Sequence, residues 1–199
     1  MTDVTPTRSV VLEQKDERRA MHEGYVFLDE KCLLLAGEML RELAHYTALQ
    51  REFLAAWDAA VAALQAAVAR HGLEGLQVHP AADLANGDVR RTLRPLMGVR
   101  LQDTAWEGSA PVPAAAPLDR SPEAEGCRAA FLELVVHAVV LAGLAGNLER
   151  LSAEYRRSVR RARALQDVLL PGLDQTLYDI ETRLEELEQE DAIWMRQGS

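Results

Sequence analysis

Residues 25–71 read YVFLDEKCLLLAGEMLRELAHYTALQREFLAAWDAAVAALQAAVARH. Carried back to Met21, the apolar positions are Met21, Tyr25, Leu28, Cys32, Leu35, Met39, Leu43, Tyr46, Leu49, Phe53, Trp57, Ala60 and Leu64, in steps of three and four. No Gly or Pro falls between Tyr25 and Leu35, or between Glu38 and His71. That spacing lays one apolar stripe along a single helix, close to the seam of a coiled coil. A start near Pro6 is expected, because Thr5 can cap and Pro fits a first helical turn. From Pro6 to Arg70 such a helix is about 100 Å long, too long for a compact domain of this size.

A second long helix is expected from Ser121-Pro122-Glu123, with Ser as cap, Pro at the first helical position and acids against the positive end of the dipole. Its stripe includes Leu134, Ala138, Leu141, Ala145, Leu148, Leu151, Tyr155, Val159, Ala162, Leu165, Leu169, Leu173, Leu177, Ile180, Leu184, Leu187 and Trp194. Gly143 and Gly146 weaken it by about 1 kcal/mol each relative to Ala. Pro171 removes a backbone bond and is expected to bend the helix near Asp167 to Leu170.

Between the helices, Leu76-Gln77-Val78-His79 and Val99-Arg100-Leu101-Gln102 alternate apolar with polar and suggest two short strands. The Pro- and Ala-rich run Ala110–Pro117 cannot be helical. The reading is a mostly α chain: a long antiparallel two-helix coiled coil with a short β-hairpin or loop segment in the middle. Its divisions are 1–71 (first helix), 72–120 (linker) and 121–199 (second helix). Folding the chain about its linker sets Glu38 and Glu42 beside Arg161 and Ser158, and Arg18 and Arg19 beside Glu181 and Glu185. Such exposed pairs support the register at ~0.5 kcal/mol each without creating the fold.

Composition agrees. The chain has 199 residues, 48% hydrophobic and 27% charged, but only 5% aromatic, which argues for long helices and against a β-sandwich or barrel. A net charge of -9 argues against a nucleic-acid binder. Cys32 and Cys127 are the only cysteines, and the polar stretch Met1 to Thr7 is no signal peptide, so a reducing cytosolic setting is expected. Phe131 to Leu148 carries Glu133 and His137 and falls short of the ~20 apolar residues of a bilayer span, so no direct membrane insertion is expected.

Chemistry-bearing motifs are missing. Lys15 and Lys31 sit in a helix without a Gly-rich loop, so no phosphate cradle exists. The histidines His22, His45, His71, His79 and His137 lack metal-binding spacing, and His71, Glu74 and His79 read as a solvated loop. The acid run Glu185, Glu186, Glu188, Glu190, Asp191 points in several directions round a helix and reads as a solvated face. No catalytic, cofactor-binding or metal residue is assigned, and no cofactor is expected.

Two surfaces remain. The cluster Arg156, Arg157, Arg160, Arg161, Arg163 is either a solvated flank or a contact for an acidic partner. Ala55 to Ala69 is apolar or Ala on nearly every face, broken only by Asp58 and Gln65, and it lies opposite an equally apolar Phe131 to Ala145. Two paired helices bury one stripe each, so a third layer is expected there, around Trp57, Val61, Leu64, Val139, Gly143 and Gly146. The occupant is either a separate partner protein or the chain's own hairpin.

Thr5-Pro6-Thr7-Arg8, then Leu12, Lys15, Ala20, Gly24, Leu28 and Lys31, resembles the opening of the D subunits of V/A-type rotary ATPases, P-T-R…L..LK…A…G..LL..K. Met97-Gly98-Val99 resembles that family's short middle element. Tyr155, Arg160-Arg161-Ala162-Arg163-Ala164-Leu165, Leu170-Pro171, Leu173, Thr176, Ile180, Leu184, Glu186 and Glu188 are similar to its C-terminal RRVNALE…IP.L..TI..I…L.E.E. The chain departs at Lys31-Cys32-Leu33, where the family has K-R-D, and at Gln102, where it has Pro. The resemblance implies a non-catalytic central rotor shaft that couples ATP hydrolysis or synthesis to translocation of protons or sodium ions. It implies as partners the catalytic A and B subunits, with the arginine cluster facing their hexamer, the F subunit at the third-layer surface, and the C/d subunit toward the membrane ring. It also implies a cytoplasmic location, peripheral to the inner membrane. The residues alone are equally met by a free-standing coiled-coil adaptor or chaperone, or by a helical regulatory component of an enzyme.

Overall fold

The computed structural model describes residues 6–79, 84, 87–108 and 121–197. Their elements are α1 (Arg8–Leu76), β1 (Gly87–Leu96), β2 (Val99–Gly108), α2 (Pro122–Ala164), a π-helical turn (Leu165–Leu169) and α3 (Leu170–Gln197). The mostly helical reading, with a central hairpin, is what is found. The Ala110–Pro117 linker and Thr5 lie outside the described residues.

Helix α1 begins two residues later than expected, because the Thr7 side-chain oxygen accepts from the Val10 amide at 3.3 Å and so caps it. Its far end overruns Arg70. Gly72 breaks the helix with φ 69°, a left-handed conformation cheap only for glycine, and one further turn reaches Leu76. The expected strand Leu76 to His79 is therefore not one. The amides of Gln77, Val78 and His79 bond back to the carbonyls of Glu74, Gly75 and Leu76, a local coil that four alternating residues cannot be told from.

Val99 to Gln102 does lie in a strand, but its partner is Gly87–Leu96, a stretch with three arginines and Pro95 that reads poorly as strand. Turn chemistry explains the pairing. Met97 and Gly98 have φ of 46° and 86°, and two consecutive positive values make the tight turn whose twist suits a two-residue hairpin.

Helix α2 starts as expected: the Ser121 side-chain oxygen accepts from the Ala124 amide at 3.2 Å. At Pro171 the helix absorbs the missing donor by widening upstream. The Leu170 amide bonds to the Leu165 carbonyl, five residues back, so the ring clears the preceding turn through a π-helical loop.

The described chain divides into two compact units, 1–36 with 154–199 and 37–153. In the terminal unit Arg8 pairs with Glu188, Lys15 with Glu181, Arg18 with Asp174 and Lys31 with Glu154, so its helices are antiparallel. These partners differ from the expected register, in which Arg18 faces Glu181, by about one turn at Arg8 and Lys15, two at Arg18 and four at Lys31. Val11, Leu177 and Ile180 form one buried cluster in it, flanked by Val10 and Leu184, and Cys32, Leu35 and Ala162 are buried as well. Each such buried Val, Leu or Ile side chain stabilises by about 1.5–3 kcal/mol.

The central unit is also antiparallel, with Arg70 on Glu123 at 2.6 Å and His71 within 2.6 Å of Ser121. Its buried apolar residues include Ala60, Ala67, Val99, Leu101, Cys127, Leu134, Leu144 and Leu151. The expected stripe is rotated here. Leu43 and Trp57 are nearly half exposed, while Glu38 and Glu42 are buried; on α2, Leu144 and Asn147 are buried where Ala145 and Leu148 were expected. The cause is the hairpin, which covers a second flank of the helix pair and draws in the residues that face it.

Candidate functional site

Each candidate surface is built on helix. In the terminal unit Arg156, Arg160 and Arg163 follow i, i+4, i+7 spacing, with Arg157 and Arg161 alongside; all five are exposed. Arg157 lies 3.6 Å from Glu154, which also holds Lys31 at 2.5 Å. Lys31, through its hydrogen bond and then its charge, with Arg157 and Arg161 adding, holds the Glu154 carboxyl below the usual carboxylate range against the opposing effect of burial. The remaining four arginines make no ion pair among the described residues. Arg163 edges a cleft of about 250 Å³ lined also by Tyr25, Asp29, Cys32 and Tyr155.

Glu38 and Glu42 do not meet Arg161 and Ser158 as the register argument expected. Both bind Arg94 of β1, at 2.8 and 2.9 Å, and Glu38 also takes Arg41, one turn along α1. Burial raises the Glu38 carboxyl, but its hydrogen bonds to Arg41 and Arg94 and their charges outweigh this and leave it below its ordinary value. Asn147 of α2 is fully buried. Its carboxamide oxygen accepts from the Gln102 amide at 2.8 Å and from Arg150 at 2.9 Å, and its nitrogen donates to the Gln102 carbonyl at 3.0 Å and to Glu42 at 3.4 Å. Sequence reasoning missed this layer. The available signal was a lone Asn inside the apolar run Phe131 to Leu148, and two carboxylates on the α1 stripe.

At the expected third layer, Trp57 is 48% exposed, Val61 and Leu64 are half-buried, and so are Val139, Gly143 and Gly146. The hairpin itself sits over Gly143. Thr104 donates to the Val139 carbonyl at 2.7 Å, and a side chain at Gly143 would collide with Thr104. Much apolar surface stays uncovered: Leu40 is 68% exposed and Leu54 52%. Each long helix, Arg8–Leu76 and Pro122–Gln197, contains an eighteen-residue window apolar enough by length and composition to cross a membrane, with only 11% and 17% of those windows buried. By that measure, the expectation that the apolar stretches fall short of a span does not hold.

Among the described residues, no three His, Cys, Asp or Glu side chains lie together as a metal site. His71 and His79 meet edge to face, 4.8 Å between ring centres, and His71 is occupied by the capping Ser121.

Antiparallel helix pairs, a hairpin anchored by polar contacts, and charged and apolar faces left open define a helical component of a larger assembly. The ATP synthase D-subunit family model matches residues 10–196, and the chain belongs to that family, the central-stalk proteins of V/A-type rotary ATPases. It is similar to the V-type ATP synthase D subunit of Thermotoga neapolitana, with 26% identity over 94% of this chain and 93% of the relative. It is likewise similar to the A-type ATP synthase D subunit of Pyrococcus horikoshii, with 26% identity over 94% and 89%, and to that of Thermococcus gammatolerans, with 28% over 96% and 90%.

Proposed function

We propose that this chain acts as the non-catalytic shaft of its rotary ATPase, turning inside a ring of catalytic A and B subunits and coupling ATP chemistry there to proton or sodium movement through the membrane ring. The family match over residues 10–196 carries this reading. The terminal unit enters the ring, where Arg156, Arg157, Arg160, Arg161 and Arg163 meet acidic surfaces. Those contacts stay solvated and exchangeable, since desolvated ion pairs of about 3–5 kcal/mol would hold a rotor in place.

The F subunit covers the open apolar surface around Trp57, Val61 and Leu64 and reaches Gly146, while the hairpin itself covers Val139 and Gly143 through Thr104. The C/d subunit joins the shaft to the membrane ring. Partners, rather than lipid, cover the apolar windows, because α2 carries Glu133, His137 and Asn147 within its apolar run, which lipid would penalise. The assembly places the chain on the cytoplasmic side, peripheral to the inner membrane. The shaft is asymmetric at Pro171, where the π-helical turn gives the ring a changed helical face.

The test is co-expression with the A, B and F subunits and reconstitution with the membrane ring. Incorporation and ATP-driven ion pumping are expected, with Arg160→Glu/Arg161→Glu lowering pumping more than assembly and Trp57→Asp abolishing binding of the F subunit. A chain that never enters the complex defeats the reading; a double mutant that pumps like its parent reduces those arginines to a solvated flank.

A further inference from the structure

The central helix pair has an ambiguity in its apolar seam. Its buried α1 residues Ala60 and Ala67 are seven apart and identical, and so are the buried α2 residues Leu144 and Leu151. A slip of one heptad replaces Ala by Ala and Leu by Leu at one position of each pair, so at those positions apolar packing distinguishes the two registers weakly. The polar layer does not repeat. Seven residues to either side of Glu42 stand Leu35 and Leu49; seven before Asn147 stands Val140 and seven after it Glu154. A slipped pair strands the Asn147 carboxamide against Leu35 or Leu49 and sets the Glu42 carboxylate against Val140 in one direction or against a second carboxylate, Glu154, in the other.

The hairpin joins both ends of that layer. Arg94 of β1 reaches Glu38 and Glu42 on α1, while the Gln102 backbone of β2 is read by Asn147 on α2. Leu93 pairs with Gln102 and Arg94 with Leu101, neighbours in a ladder that runs without interruption from Gly87↔Gly108 to Leu96↔Val99. The distance between the α1 anchor and the α2 anchor is thus set by a fixed sheet register. Asn147 has all four of its hydrogen-bonding positions filled, and the one that reaches across to α1 goes to Glu42.

We propose that Glu42, Arg94 and Asn147 form a register key, with the hairpin as its ruler, that selects one alignment of α1 against α2 where the Ala- and Leu-rich seam permits several. These are positioning residues. The inference concerns the chain by itself and does not depend on the shaft reading, although a torque-bearing helix pair that slipped would lose its angular setting.

The experiment uses the full chain with Cys32→Ala and Cys127→Ala and two reporter pairs. Arg70→Cys with Glu123→Cys reads the native register, and Arg70→Cys with Ala130→Cys reads the slipped one. With the key intact, disulfide formation is expected only in the native pair. With Glu42→Leu, Arg94→Met and Asn147→Leu together, helix content is expected to hold, and slipped product to rise at least tenfold. Glu42→Gln, which keeps hydrogen bonding to Asn147, should retain native-only crosslinking when Arg94 and Asn147 are unchanged. A folded triple variant that crosslinks only in the native pair overturns the proposal. If the triple variant does not fold, Asn147→Leu alone is read the same way: slipped product supports the key, native product alone refutes it.

Discussion

Removing Arg94 isolates the most heavily loaded interaction in the central unit. Its guanidinium serves two carboxylates whose side chains are only 4% and 9% exposed, whereas Arg94 itself is 43% exposed. Breaking a fully buried pair costs about 3–5 kcal/mol. Here Glu38 keeps Arg41, and water screens the open side of Arg94, so Arg94→Ala is expected to cost about 2 kcal/mol. For a chain of this length that lowers the thermal midpoint by about 4–8 °C. The pH dependence has a definite sign. In the parent, Glu38 titrates below its ordinary value, so its contribution is present above the usual carboxylate range and fades as pH falls through the folded value. In the variant, burial acts with one cation fewer, and the cost of the charged carboxylate is relieved by protonation. The gap between parent and variant should therefore narrow from pH 7 to pH 3, followed by circular dichroism at 222 nm on heating. An equal midpoint difference at the two pH values would refute the assignment of Arg94 as the counter-ion of this layer.

Ser121→Ala removes the α2 cap together with the contact to His71 and should cost about 1 kcal/mol, measurable by urea titration; an unchanged midpoint places the cap elsewhere. Gly143→Val drives a side chain into Thr104, so hydrogen exchange should lose protection at β2 with a penalty of about 1–3 kcal/mol; a β2 that stays protected contradicts the packing described. Cys32 and Cys127 are buried, and burial pushes both thiols above their ordinary value, so iodoacetamide should label them slowly in the native chain and rapidly in urea. Fast native labelling at pH 8 would show that the seams open.

The helices were legible because their signals are local and repeated many times. A three-four spacing sustained from Met21 to Leu64 leaves no competing structure, and Ser121-Pro122-Glu123 announces a helix start by capping chemistry alone. The hairpin was half legible. Val99 to Gln102 alternates, but the residues of β1 are mostly exposed and arginine-rich, so hydrophobic pattern says nothing; the usable signal was Met97-Gly98, where Gly at the second turn position permits two positive φ values. The register was the least legible part. Pairing exposed charges by symmetry gave Glu38 the wrong partner, because nothing local reveals that a third layer buries it beneath Arg94. The same layer turns Leu43 and Trp57 outward, although both sit on the apolar stripe.

That outward turn bears on why the chain tolerates so much exposed apolar surface. An antiparallel helix pair has no interior beyond its seam, and one buried cluster of the terminal unit is three residues with two flanking ones. Backbone ordering costs about 1–2 kcal/mol per residue, a cost that extends to every helical position whether or not its side chain is buried. Helix hydrogen bonds and thin seams therefore leave a narrow margin, and anything that binds only the folded helices raises stability by mass action. Leu33 and Leu40 are each more than two-thirds exposed. Their burial by partner proteins would stabilise both the fold and the assembly, so folding and incorporation into the complex become one coupled equilibrium. Partner binding should then raise the unfolding midpoint of this chain most where its own core is thinnest.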